Sequence, residues 1–390
     1  MQHILLMSHK MNLGGTEKAL LSFINALADN NIKVTLLLLE DGGILRNEIP
    51  TWVHVEILNV FENIKPVIFE PPLALTKIQL KQGQFWNALN TILRYVKVKI
   101  SKSWYYNYIT ALKDYKSNYN ADVAIAFAGP SDFISYFVLK HIEAPKKYQW
   151  IHFDVREVLL NTNFGNKYYS GFDKIFCVSD NAKKIFDQVF PRLKNKSNVF
   201  RNIVSKQDLV SRAFQGNSFT DDFMGLRIVT LGRLSKEKGQ DMIPEVVRRL
   251  DKDGFDFRWY LIGDGDLKSV LEPQIELLNI GNNLVLLGSQ LNPYAYLRDC
   301  DLYVQTSLHE GYCLTIHEAK MFDRPVVTTH VASASNLIKN NEDGLIVPIS
   351  VNGLYAGIKQ MLLDRELRDK CSKALLAVDT TAEIHKIFEK

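Results

Sequence analysis

Short, wholly apolar runs alternate with helix-length segments along almost the whole chain, and that alternation leaves few folds open. Candidate strands are residues 3–7, 33–39, 122–127, 148–151 and 174–178. A second series follows at 227–231, 258–262, 284–287, 302–305, 325–328 and 345–347. Helical patterns such as 17–28, 240–250 and 355–363 stand between them. A strand that is apolar on both faces must be covered on both, and a parallel neighbour needs a crossover, so the pattern predicts doubly wound α/β sheets. At 390 residues the chain exceeds one ordinary core of this kind. The polar stretch 202–225 separates the two strand series. The expected architecture is two Rossmann-like domains facing a cleft: residues 1–203, a linker 204–225, residues 226–372, and a C-terminal helix over 373–390 that crosses back to the first domain.

No apolar run approaches the ~18–20 residues that span a bilayer. Residues 4–7 are cut short by Ser8, His9 and Lys10, so no secretory h-region is read there. Cys177, Cys300, Cys313 and Cys371 lie far apart without C-x-x-C spacing, which argues against a zinc site or a disulfide framework and for the cytosol. The net charge, 47 − 43 = +4, is small. Residues 76–117, however, hold eight basic residues and one acid, Asp114, so this segment is +7 and the rest is −3. Within it Phe85, Leu89, Ile92, Val96 and Ile100 recur at helical spacing, as do Trp104, Tyr108, Ala111 and Tyr115. Two readings compete. The stripes pack on the core with the lysines solvated, or a helical hairpin docks on anionic lipid through Lys97, Lys99, Lys102 and Trp104. Nucleic-acid binding has only this charge in its favour, and no nucleic-acid partner is expected.

Ligands of doubly wound sheets sit at the carboxyl ends of strands. After the first strand, Gly14 and Gly15 allow close backbone approach, and Thr16 is a candidate N-cap of a helix whose dipole suits a phosphate. Arg233 and Lys238, after the first strand of the second series, converge on one anion if the loop folds back at Gly239. Gly263-Asp264-Gly265 reads as a turn closing a strand; a metal held by Asp264 and Asp266 is the weaker reading, since further oxygen ligands are missing nearby. Glu310 and Glu318 are eight residues apart, a rise of ~12 Å and a rotation of ~80° on a single helix. The pair is better placed with Glu310 in a loop, Gly311, Tyr312, Cys313 and Leu314 at a helix N-terminus, and Glu318 on the helix. Free N–H groups there suit phosphate and the carboxylates suit hydroxyls, which is the description of a nucleotide sugar.

Glu310 and Glu318 make an E-x7-E motif similar to that of the large family of retaining glycosyltransferases with the GT-B fold, often called family 4, of the bacterial surface-polysaccharide type. Gly14-Gly15, Gly232-Arg233-Leu234, Lys238-Gly239, Gly263-Asp264-Gly265, Leu287-Gly288, Pro325-Val326-Val327 and Asp343-Gly344 fall in that family's order. The resemblance implies that Arg233 and Lys238 bind the donor diphosphate and that Glu318 binds ribose hydroxyls. It places Glu310 beside the transferred sugar, with the 311–314 amides facing phosphate and sugar, and implies donor contacts for Gly14, Gly15 and Gly263. His152, at a strand end, matches a position that contacts the transferred sugar, so Glu310, His152, Arg233 and Lys238 form the implied catalytic set. Asp323-Arg324 stands where the family usually has a glycine, Ala334-Ser335-Asn336 replaces a segment that commonly carries Pro-Glu, and Cys313 fills a variable position.

The function implied is retaining transfer of a hexose or N-acetylhexosamine from a nucleotide diphosphate sugar, with uridine as the favoured base. The implied acceptor is a hydroxyl of a glycan or lipid-linked oligosaccharide, and neither metal nor other cofactor is expected. The protein is expected in the cytoplasm or peripherally on the inner face of the cell membrane. The alternative is a catalytically inactive GT-B carbohydrate-binding or scaffold protein.

Overall fold

The structure is a computed structural model that describes residues 2–389 except 29–30, 102, 104, 159–161, 311, 332 and 376–377. The chain divides into two compact units, Met1–Arg201 and Asn202–Lys390. Unit one holds a seven-stranded sheet in the order His54–Ile57, Ile32–Leu38, Gln2–Ser8, Val123–Ala126, Lys146–Ile151, Lys174–Cys177, Ser197–Val199, parallel throughout. Unit two holds a six-stranded parallel sheet in the order Leu284–Gly288, Phe257–Ile262, Leu226–Leu231, Leu302–Gln305, Val326–Thr329, Gly344–Val347. In each sheet the first strand lies inside and the order reverses beside it. The switch points are therefore Gln2–Ser8 against Val123–Ala126 and Leu226–Leu231 against Leu302–Gln305, with the loops after those strands placed to meet a ligand.

Both sheets are covered on both faces, as their apolar strands require: Ile4, Leu6, Val123, Ala124, Val326 and Val327 are all fully buried. Trp150 centres one side of the first core. Its ring lies 4.6 Å from Phe200, 5.1 Å from Phe127 and 5.3 Å from Phe23, centroid to centroid. In unit two the buried Trp259 satisfies its one polar atom by donating from Nε1 to Thr230 Oγ1 at 3.0 Å.

Several expectations change. The edge strands His54–Ile57 and Ser197–Val199 were not read in the sequence. Gly14, extended at φ −136°, is the N-cap of the helix Gly15–Ala26, so Thr16 lies inside the first turn. The stretch read as a linker contains the helix Lys206–Gln215, which buries Leu209 and Ala213 within unit two and is capped by Ser205 Oγ. Asp221, further along the same stretch, is fixed by Arg227 at 2.8 Å, Arg258 at 3.1 Å and the Tyr260 hydroxyl at 2.6 Å. Residues 373–390 do not form one helix: Arg365–Ala374 ends, and Thr381–Ile387 is 3-10. Between them Thr380 is held to residues 202–204 by three hydrogen bonds, so the end of the chain belongs to unit two.

The basic segment folds as Pro72–Lys81, Phe85–Ser101 and Tyr106–Ala111. Tyr105 and Tyr108 enter the core of unit one, so this second stripe packs inward, while Lys102 and Trp104 lie outside the described residues. The Phe85–Ile100 stripe does the opposite and faces out.

Trp150→Ala should cost about 3–5 kcal/mol of stability, because its cavity is walled by rings that cannot collapse into it. A urea midpoint unchanged from wild type would show that this cluster does not organise the core.

Candidate functional site

The two loops at the switch point of unit two are joined to each other. After Leu226–Leu231 the chain runs through Gly232-Arg233-Leu234 into a 3-10 turn, Lys236–Lys238, that ends on Gly239 at φ +64°. A side chain at Gly239 would also drive its Cβ into the Thr306 carbonyl, so glycine is required twice over. The Thr306 hydroxyl donates to the Lys238 carbonyl at 2.7 Å, and the Leu308 N–H donates to the Glu237 carbonyl at 2.8 Å. The expected fold-back at Gly239 is thus present, with the opposite loop as its partner.

Its consequence is the pairing of Lys238 with Glu310, Nζ to Oε1 at 2.6 Å. The same oxygen accepts from Ser307 Oγ at 2.6 Å and from Gln305 Nε2 at 2.9 Å. Glu310 is therefore held in a loop by a cation, an amide and a hydroxyl, and Gln305 is fixed in turn by Thr315 Oγ1 at 3.0 Å. Arg233 is not part of this cluster. It is exposed, 3.9 Å from Glu237.

The helix Leu314–Met321 starts three residues after Gly311, which lies outside the described residues. Tyr312 and Cys313 lead into the helix, with Cys313 as its N-cap in the left-handed region at φ +55°. The Cys313 thiol is buried 3.0 Å from Ser333 Oγ, and burial pushes it up, so it stays a neutral thiol. Ser333 Oγ also donates to the Glu310 carbonyl at 3.1 Å. Glu318 sits on the helix, 2% exposed. Its Oε1 accepts the Tyr294 hydroxyl at 3.2 Å, while its Oε2 is buried with no hydrogen-bond partner. Burial, then the Glu318 charge, raises the Tyr294 phenol far above its ordinary range, which keeps it a donor. A carboxylate oxygen left this way costs roughly 1–3 kcal/mol until a donor reaches it.

Gly263 packs against the first of the two switch-point loops. A Cβ there would collide with the Gly232 carbonyl, and its φ is +152°, so it serves as the contact on which the 232–234 loop rests. The Leu234 N–H completes that contact by donating to the Asp264 carbonyl at 3.0 Å. Among the described residues no group of three or more His, Cys, Asp or Glu is arranged to hold a metal ion.

In unit one, Gly14 and Gly15 open a helix after the first strand, and the space around a Gly15 Cβ is empty. His152 follows the strand Lys146–Ile151 and its backbone N–H donates to the Gly129 carbonyl at 3.0 Å. The imidazole packs 4.9 Å from the Phe127 ring, its Nε2 is buried without a partner, and burial pushes its pKa down to about 4. It is neutral at pH 7. Gln305, Ser307, Tyr294 and Ser333 were not anticipated. Gln305-Thr306-Ser307 did carry a signal, three polar residues directly after the apolar Leu302-Tyr303-Val304.

Residues 222–375 match the family described as glycosyl transferases group 1. An uncharacterized glycosyltransferase of Methanocaldococcus jannaschii is 33% identical over 168 residues, which is 42% of this chain and 41% of that protein. The N-acetylgalactosamine-N,N'-diacetylbacillosaminyl-diphospho-undecaprenol 4-alpha-N-acetylgalactosaminyltransferase of Campylobacter jejuni is 30% identical over 183 residues, 46% of this chain and 48% of that protein. The chain spans about half the length of these curated relatives. Among solved structures, HepE of Anabaena, crystallised with UDP and glucose, superposes over 100% of this chain and 98% of its own with a TM-score of 0.67 at 17% identity. TarM of S. aureus, crystallised as a mutant with Fondaparinux, alpha-GlcNAc-glycerol and UDP, gives 0.67 at 16% identity over 100% and 97%. With its two Rossmann-like units the chain has the GT-B fold.

The His152 environment sets a pH dependence of stability. The unfolded imidazole takes up a proton as pH falls through about 6.5, whereas the folded one resists until about 4, so protonation favours unfolding in that window. Its contribution, about 3 kcal/mol, is present above pH 6.5 and lost as pH falls towards 4. His152→Gln should flatten the stability curve between those values by close to one proton; an unchanged slope would place the linkage elsewhere.

Proposed function

We propose that this chain, whose residues 222–375 match the glycosyl transferases group 1 family, is a retaining glycosyltransferase. It moves a hexose or N-acetylhexosamine from a uridine diphosphate sugar to a hydroxyl of a glycan or glycolipid acceptor. The observation that carries the proposal is the pair of carboxylates at the switch point of unit two, one braced and one unsatisfied. Glu318 offers a buried, unpartnered oxygen to a hydroxyl donor, and the ribose of a nucleotide supplies such hydroxyls. Glu310, held by three donors, is rigid enough to orient a sugar. Lys238 carries three N–H donors and gives one to Glu310, so it can reach a diphosphate without leaving its carboxylate. Arg233, exposed on the same loop, is free to swing to the second phosphate charge.

In the transfer the bond from the anomeric carbon to the diphosphate oxygen breaks, and that oxygen takes the electron pair. The acceptor hydroxyl forms the new bond on the same face, and its proton passes to the departing phosphate. Charge growing on the phosphate is met by Lys238, Arg233 and the N–H groups opening the helix at Leu314. His152, neutral and buried, can exchange a hydrogen bond with a sugar hydroxyl without a change of charge. Similarity to a family of transferases, the UDP in HepE and TarM, and the acceptor in the Campylobacter relative's name support this reading.

Release of nucleotide from UDP- and GDP-sugars, with and without acceptor glycans, tests it. Arg233→Ala and Lys238→Ala should each lower kcat/KM by about 10²–10³. Glu318→Gln should raise the donor KM by about 10–100-fold, the worth of a hydrogen bond to a charged group. No release from any nucleotide sugar would leave the non-catalytic binding protein standing, and near-wild-type turnover in both cation variants would remove the diphosphate role.

A further inference from the structure

The helix Phe85–Ser101 is packed with its faces reversed. Its buried positions are Ala88, Thr91 and Val98. The face turned to the neighbouring helix Pro72–Lys81 is partly polar, since Thr91 Oγ1 donates to Gln79 Oε1 at 2.9 Å and accepts from Arg94 Nη2 at 3.0 Å. The large apolar residues look outward instead. At 100° per residue, Phe85, Trp86, Leu89, Leu93, Val96 and Ile100 fall within an arc of about 100°. All six are exposed, Trp86 and Ile100 to 79%. Of 22 large exposed apolar side chains among the described residues, 11 lie between Leu73 and Ile100, so the patch is not the ordinary scatter of a protein surface.

Charge frames this arc. Lys97 lies about 20° beyond one edge and Lys99 about 40° beyond the other. The Lys97 ammonium rests 4.7 Å from the Tyr106 ring centroid, which holds it beside the patch. From residue 71 to residue 113 the sequence contains no Asp or Glu and seven Lys or Arg. The neighbouring helix extends the surface with exposed Leu73, Ile78 and Leu80 and with Lys77 and Lys81.

We infer that this hairpin is a docking surface for an anionic lipid bilayer, with Phe85–Ser101 lying in the plane of the interface. An apolar arc of this width flanked by cations is the form of a helix that sinks its apolar side below the headgroups while its lysines meet lipid phosphates. A second copy of the chain is a poorer occupant, because symmetric pairing would bring two acid-free segments of the same charge together. The helix does not span: among the described residues none is long and apolar enough to cross a membrane. The inference stands on the hairpin alone and is independent of the transferase reading.

Flotation of the full chain with phosphatidylglycerol-containing vesicles, and with phosphatidylcholine alone, tests it. Wild type should float with the anionic vesicles, lose most binding in high salt, and bind neutral vesicles weakly. The pair Lys97→Gln and Lys99→Gln should lower partitioning by about thirty-fold, and Trp86→Ser with Ile100→Ser should abolish it, with far-UV circular dichroism unchanged in both. These positions are exposed, so the fold does not depend on them. Failure of wild type to float, equal binding to neutral vesicles, or variants that float like wild type would each overturn the inference. So would a concentration-dependent dimer in sedimentation velocity that the Trp86→Ser and Ile100→Ser pair dissolves, since the patch would then belong to a second copy.

Discussion

The ion pair between Lys238 and Glu310 is the constraint on which the second unit's site depends. Neither residue lies in regular α or β structure. Each sits in a loop after a different strand, and strand order alone would let those loops move separately. They are held by Gly239, whose left-handed backbone lets the 236–238 turn lie against the Thr306 carbonyl, and by the two hydrogen bonds that follow from that contact. The half-buried charges then pair at little further entropic cost, because the backbone has already brought them together. Removing one partner leaves the other charge short of a counter-ion in a partly desolvated loop, which costs more than the pair itself contributes.

The same logic explains why the glycine motifs recur after strands. Gly263 does not itself need to meet a ligand to be required, because a methyl group there would collide with the Gly232 carbonyl. The 263–265 turn supports the 232–234 loop, which carries Arg233 and leads to Lys238. A residue can therefore belong to a donor-site motif for a reason that lies behind the site.

Much of this was legible in the sequence, and what was not has physical causes. Interior strands announced themselves because burial on both faces demands unbroken apolar runs, as in Val123–Ala126 and Leu302–Gln305. The edge strands His54–Ile57 and Ser197–Val199 did not, since an edge needs only part of its surface apolar. The helix Lys206–Gln215 was hidden because it buries only Leu209 and Ala213, too few to outweigh its polar neighbours. Glu310 in a loop and Glu318 on a helix followed from the helical rise. The clamp around Glu310 did not, because Ser333 and Lys238 come from distant stretches of chain that only the fold assembles. Periodicity identified the apolar stripe of Phe85–Ser101, but it says only that a face exists, not which way the face turns.

Each unit also keeps buried polar atoms unsatisfied, among them Nε2 of His152 after the strand Lys146–Ile151 and Oε2 of Glu318 on the helix Leu314–Met321. Folding alone would remove both, since an apolar side chain of similar size would avoid a desolvation cost of roughly 1–3 kcal/mol at each place. Trp150 Nε1 and the Tyr108 hydroxyl are buried without partners too, but there a large ring recovers in apolar burial what the polar atom loses. A carboxylate and an imidazole carry little apolar surface to offset the loss. The rest of each residue is satisfied: Tyr294 serves the other oxygen of Glu318, and the His152 backbone N–H has its carbonyl. His152 directly follows the carboxyl end of a strand, and Glu318 lies on the helix entered from the loop after another, the side on which a doubly wound sheet meets its ligands. Asp132 Oδ1 and Gln149 Oε1 are buried without partners as well, so an unpartnered atom does not by itself mark a ligand, and it is the position of His152 and Glu318 in the chain that sets them apart.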